Sequence, residues 1–115
     1  MRKDQRLKGK ERFSQIFEGS RGWANSRLVL KALPNSSAET RFGLVTSRKV
    51  GGAVLRNTLR RRLREIVRVT PVKSGWDVVI IVRSGKTEPS FQELQDALHN
   101  LLRRAGLLEP LNPGL

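Results

Sequence analysis

The chain has 115 residues, 37% of them hydrophobic and none of them cysteine, so one cored domain spanning 1–115 is expected, and disulfides, thiolate chemistry and Cys-ligated zinc are excluded. Its 23 Lys and Arg against 10 Asp and Glu give a formal net charge of +13, an imbalance that calls for a polyanionic partner. No run approaches the roughly 18 apolar residues of a membrane span, and Met1 to Lys10 lacks the apolar stretch of a secretory signal; no membrane association and a cytoplasmic location are therefore expected.

Phe13, Ile16 and Phe17 fall at i, i+3 and i+4, which predicts a short amphipathic helix from Lys10 to Glu18, ended by Gly19. Arg27 to Leu33 alternates Leu28, Leu30 and Ala32 against Arg27, Val29 and Lys31, the period of a half-buried strand. Turn residues at Pro34 to Ser37 lead into a second strand, Arg41 to Ser47, and the two read as a hairpin with a loose loop. Gly51-Gly52 precedes a helix from about Ala53 to Val69, stopped by Thr70-Pro71 because the residue before proline avoids the helical region. Val78 to Val82 is an unbroken β-branched run within Asp77 to Arg83, typical of a strand covered on both faces. Ser90 and Glu93 form a capping box for a last helix. Its buried stripe is Phe91, Leu94, Leu98, Leu101, Leu102 and Ala105, with Gly106 as C-cap. The order α-β-β-α-β-α describes an α+β sandwich, a small mixed sheet packed by helices, with a frayed tail after Leu108.

The charge is concentrated. Residues 41–68 hold 9 basic and 1 acidic side chains, whereas residues 69–115 hold 5 of each; this is a patch and not a general solubilising charge. On a wheel of about 100° per residue, Leu55, Leu63 and Ile66 fall within roughly 40° of Leu59. That stripe docks the helix, while Asn57, Arg60, Arg61, Arg64 and Arg68 share an outer face, with Arg56 on its border and Arg62 on the opposite flank. A merely solvated face would mix signs at i, i+4, yet only Glu65 offsets these arginines, and Arg56, Arg60, Arg64 and Arg68 repel one another at that spacing. Arginine grips phosphate with two parallel hydrogen bonds and stacks on bases. A membrane or peptide-target helix would carry bulky aromatics on its apolar face; this one carries Leu, Ile and Val, which suit packing within the protein.

The stretch RFGLVTSRKVGGAVLRNTLRRRLREIVR, Arg41 to Arg68, resembles the signature of the bacterial ribonuclease P protein family, in which S-[KR]-K-[VI]-G-x-A-V-x-R-N precedes an arginine-rich helix. Ser47 to Gly51, Ala53-Val54 and Arg56-Asn57 match position by position, and Arg6-Leu7-Lys8 with Phe13, Ile16, Phe17 and Gly19 is similar to the family's first helix. The resemblance implies a protein subunit that binds ribonuclease P RNA and the 5′ leader of precursor tRNA. Catalysis would be carried by the RNA with Mg²⁺ bound chiefly there, and no catalytic residue is expected in this chain. It implies that Arg56, Asn57, Arg60, Arg61, Arg64 and Arg68 face the catalytic RNA, that Phe13, Phe17, Ser47, Arg48 and Lys49 lie near the leader, and that the β-α-β crossover is left-handed, where general rules favour the right hand. Two positions depart from the pattern. Thr58 stands where the family usually has arginine, implying one peripheral RNA contact fewer, and Lys31 stands where some relatives carry an aromatic.

Read from the residues alone, a groove for single-stranded RNA needs positive charge and aromatic faces. Phe13 and Phe17 could supply them, although their spacing fits core packing with Ile16 slightly better; Trp23 lies in a pre-strand loop, and Trp76, Phe42 and Phe91 look structural. An independent nuclease would need an acid/base pair or a carboxylate cluster, but His99, the sole histidine, maps to the outer face of the last helix, and Glu88, Glu93 and Asp96 suit a helix N-terminus. Composition leaves open a structural ribosomal-type RNA-binding protein; only the Ser47–Asn57 motif separates the two readings.

Overall fold

A computed structural model describes residues 6–85 and 87–109. Helix α1 (Lys10–Gly19) is followed by strands β1 (Gly22–Ala24), β2 (Leu28–Pro34) and β3 (Arg41–Thr46). A 3-10 turn at Arg48–Val50 leads into α2 (Ala53–Val69), then β4 (Trp76–Val82) and α3 (Phe91–Arg104). The elements expected from periodicity are present to within one residue at most ends, and the sheet is mixed.

The strand order is β1-β2-β4-β3, with β1–β2 and β2–β4 antiparallel and β3–β4 parallel. The expected β2–β3 hairpin does not form, because β4 inserts between the two strands. The run Val78 to Val82 explains the insertion: an interior place provides ladder partners on both edges and helices on both faces. Strand β1 lies where the sequence predicts a pre-strand loop. Three residues are too few to display an alternation, and Trp23, opposite Leu30 in the register, packs on the core from this strand.

Period-2 alternation splits the sheet into two faces. Leu28, Leu30, Ala32, Phe42, Val78, Ile80 and Val82 pack beneath α2 and α3, against Leu59, Leu63, Ile66, Leu94, Leu98 and Leu101. On the opposite face Val79 packs with Ile16 of α1 and with Leu7. Phe91 is not part of the buried stripe; it is 42% exposed. Its angle on the wheel fits, but Cα–Cβ bonds tilt toward the helix N-terminus, so the first residue of α3 points past the packed surface.

The capping box is complete: Ser90 Oγ accepts from the Glu93 N–H at 3.1 Å, and Glu93 Oε1 accepts from the Ser90 N–H at 3.2 Å. Ser90→Ala should cost about 1 kcal/mol, lowering the melting temperature by roughly 4 °C; an unchanged melting curve would show that the cap contributes nothing. At the other end Gly106 takes φ +73°, and the Leu107 N–H reaches back to Leu102 O at 2.9 Å. His99 is half-buried and not a solvated surface residue. Its Nε2 lies 3.1 Å from Thr70 Oγ1, whose own proton goes to Ile66 O at 2.6 Å, so Nε2 carries the hydrogen in this contact. The tail is tied as far as Glu109, whose N–H donates to Pro71 O at 2.9 Å; the rest of the expected frayed segment lies outside the described residues.

Candidate nucleic-acid interface

Helix α2 docks through Leu59, Leu63, Ile66 and Val67, and its arginines divide by what they touch. Arg62 turns away to Glu88 Oε1 at 3.3 Å and Pro89 O at 3.0 Å. Arg68 pairs with Glu65 at 3.0 Å. Arg60 is half-buried: Nη1 donates to Thr46 Oγ1 at 2.7 Å, and Nη2 donates to Asn57 Oδ1. The wheel gave Arg60 an outward direction but not this tie to the end of β3. Arg61 and Arg64 make no hydrogen bond or ion pair with any described residue. Arg56 is half-buried, and its Nε is shielded from solvent without a hydrogen-bond partner among the described residues.

Val54, Asn57, Thr58, Arg60, Arg61 and Arg64 line a shallow hollow containing no acidic side chain. Thr58 thus borders the arginine face, with its hydroxyl donating to Val54 O at 2.9 Å. Burial first, then the neighbouring charges of Arg6 and Arg60, pull the Arg64 guanidinium below its usual pKa. Three guanidiniums share this corner, and an incoming anion would relieve their repulsion.

A second hollow opens on the α1 side of the same arginines, where Arg6, Leu7, Phe13, Leu44, Arg60 and Arg64 meet. Phe13 lies across Gly43 of β3 so closely that a Cβ there would sit 2.5 Å from the ring's Cζ. Phe17, one turn on, is 38% exposed, with ring centroids 6.4 Å apart. Phe13 is therefore partly a packing residue, while Phe17 offers a free face. Beyond the two rings, Val29, Ile81 and Val45 form one cross-strand row on the α1 face, each half-buried. Ser47, Arg48 and Lys49 are exposed beyond the end of that row, roughly 13 Å along β3 from Gly43. The predicted residues thus lie on two surfaces: the arginine plate of α2, and the α1 side of the sheet, with the phenylalanines on α1 and Ser47 to Lys49 past the end of β3. Arg60 and Arg64 line both hollows.

Sequence reasoning passed over Asp77, whose side chain is fully buried on the α1 face. Burial by itself would raise its pKa, but hydrogen bonds from Arg41, Asn35 and Arg12 outweigh that and hold the carboxyl below the ordinary aspartate value. The signal was present: alternation puts Asp77 on the same face as Val79 and Ile81, and a buried carboxylate demands charged partners. Arg12 and Arg41 likewise carry no role in the sequence reading.

Comparison with known proteins bears on the family and the fold. The sequence model of the family described as Ribonuclease P matches residues 1–106. The chain is 38% identical over 117 residues to the ribonuclease P protein component of a Roseiflexus species, covering 99% of this chain and 96% of that one. It is 37% identical over 112 residues to that of Dehalococcoides mccartyi, covering 97% and 93%. Among solved structures, a mutant Staphylococcus aureus RNase P protein superposes with a TM-score of 0.84 at 28% identity, covering 92% of each chain. The Thermotoga maritima RNase P protein gives 0.74 at 33% identity, covering 86% of this chain and 96% of the other.

Proposed function

This chain belongs to the ribonuclease P protein family, and on that premise we propose that its arginine plate grips ribonuclease P RNA while its groove holds the 5′ leader of precursor tRNA. The family places the protein in tRNA 5′ processing as a component of ribonuclease P, with the ribonuclease P RNA as partner. Arg56, Asn57, Arg60, Arg61, Arg64 and Arg68 are the side chains assigned to the RNA. Phe13, Phe17, Ser47, Arg48 and Lys49 are assigned to the leader. The observation that carries the reading is the charge of Arg61 and Arg64, which no described residue pairs, continuous through Arg60 and Arg64 with the hollow beneath Phe13. A single strand laid along Val29, Ile81 and Val45 would find apolar contact below its bases, ring faces at one end and cations at the other.

In this reading the RNA performs the phosphodiester cleavage, and the protein binds and positions. His99, the only histidine, is engaged by Thr70. We assign Mg²⁺ chiefly to the RNA, as the family resemblance implies. None of the helices in the described residues is long and apolar enough to cross a membrane, and the cytoplasm is the proposed site of action. Affinity for ribonuclease P RNA should fall steeply with salt: about six phosphate contacts give a log–log slope near −4 to −5. A slope near zero would remove the electrostatic premise.

A further inference from the structure

Two side-chain ties join α1, the wall of the proposed groove, to the sheet among the described residues. At one end Lys31 Nζ donates to Phe17 O at 2.8 Å. At the other, Arg12 Nε donates to Asp77 Oδ2 at 2.7 Å and Arg12 Nη2 to Pro34 O at 2.9 Å. Fully buried Ile16 packs between them. Apolar contact is non-directional and does not by itself set how a helix is rotated over a sheet. A charge-assisted hydrogen bond to a fully buried carboxylate is directional, and a buried ion pair, which adds little net stability, is able to fix register.

Asp77 is suited to that task. It is the second residue of β4, opposite Arg41 in the parallel register. Arg41 grips both of its oxygens, Nε to Oδ1 and Nη2 to Oδ2, each at 2.7 Å. Asn35 Nδ2 donates to Oδ1 at 2.9 Å. The carboxylate is thus neutralised and oriented from within the sheet, leaving Oδ2 aimed at α1. Arg12 spends its remaining Nη1 on Gln15 at 3.1 Å, so its guanidinium is committed to protein groups. Arg12 precedes Phe13 in the chain, and Phe13 lies on Gly43.

We infer that Asp77 is a positioning residue for leader recognition: through Arg12 it fixes the pose of α1, and so the height of Phe13 and Phe17 above the floor at Val29, Ile81 and Val45. The inference rests on the groove reading above, and Arg12 and Arg41 separate it from plain stability. Arg12→Gln releases the helix while Arg41 still neutralises Asp77. Arg41→Gln disturbs the same carboxylate but leaves the tie to α1.

The test uses full-length protein reconstituted with ribonuclease P RNA. It compares affinity for a precursor tRNA with affinity for the matching mature tRNA, alongside hydrogen exchange of the α1 amides in the protein. For Arg12→Gln and Asp77→Asn, the leader's contribution to affinity should fall by on the order of tenfold, with faster α1 exchange and unchanged affinity for the catalytic RNA. Arg12→Lys should recover part of the loss, and Arg41→Gln should leave the leader's contribution intact. Should Asp77→Asn fail to fold, Arg12→Gln carries the test. Equal loss from Arg12→Gln and Arg41→Gln, or α1 exchange unchanged by Arg12→Gln, would overturn the inference. A wild-type holoenzyme indifferent to the leader would sink the groove reading instead; the exchange rates would then decide alone whether Asp77 sets the pose of α1.

Discussion

Converting Arg61 and Arg64 together to glutamate should weaken binding to ribonuclease P RNA by about two to four orders of magnitude, since hydrogen bonds to charged groups contribute about 1.5–3 kcal/mol each. The same substitution should leave the melting temperature unchanged or slightly raised. Neither side chain has a partner among the described residues, so no bond to a described residue is lost. Arg64 also sits against Arg6 and Arg60, whose charges disfavour its own, and a carboxylate there would relieve that repulsion. Affinity would be read by filter binding at fixed salt, and stability by thermal melting. Arg60 is a poorer probe, because its bond to Thr46 ties the helix to β3 and mixes folding into the result. A double variant that melted well below wild type yet kept its RNA affinity would show that these arginines are structural.

The second large effect is on folding. Leu59 is fully buried at the centre of the α2 stripe and packs in the main core with Leu63 and Ile80. Leu59→Ala should cost about 2–5 kcal/mol as a core truncation, a large share of the roughly 5–15 kcal/mol that holds a domain together. Urea unfolding would show a lower midpoint with an unchanged slope. RNA affinity measured where the variant remains folded should change little, because the residue makes no outward contact. Together the two variants dissect one helix, whose leucine face holds the fold and whose arginine face meets the RNA. A Leu59→Ala cost well under 1 kcal/mol would contradict the docked orientation of α2.

What the sequence disclosed followed the strength of its periodic signals. The α2 leucine stripe, the Ser90 capping box and the covered strand at Val78 to Val82 are each carried by several residues repeating at one period, and all three stand in the structure. Strand order was not readable. The hairpin expected for β2 and β3 is a local rule, and a non-local pairing displaced it, since β4 gains more by lying between them. β1 was too short to show alternation. Phe91 had the right angle at the wrong end of its helix, and a wheel has no axial coordinate. His99 was read as solvated because its own helix turns it outward, but Thr70 reaches it from the end of α2. Most of the candidate site was legible as residue types. The α2 arginines and the phenylalanine pair carried their chemistry openly, and resemblance to the family added Ser47, Arg48 and Lys49. The links between them were not, because Arg60–Thr46, Arg12–Asp77 and the placing of Phe13 on Gly43 span 14, 65 and 30 positions of chain.

The most direct test of the account is cleavage of a 5′-extended precursor tRNA at low Mg²⁺ by a bacterial ribonuclease P RNA, with and without this protein, and by the protein alone. Accurate leader removal only when both components are present is the predicted result. Cleavage by the protein alone, or no stimulation despite salt-sensitive RNA binding, would contradict it.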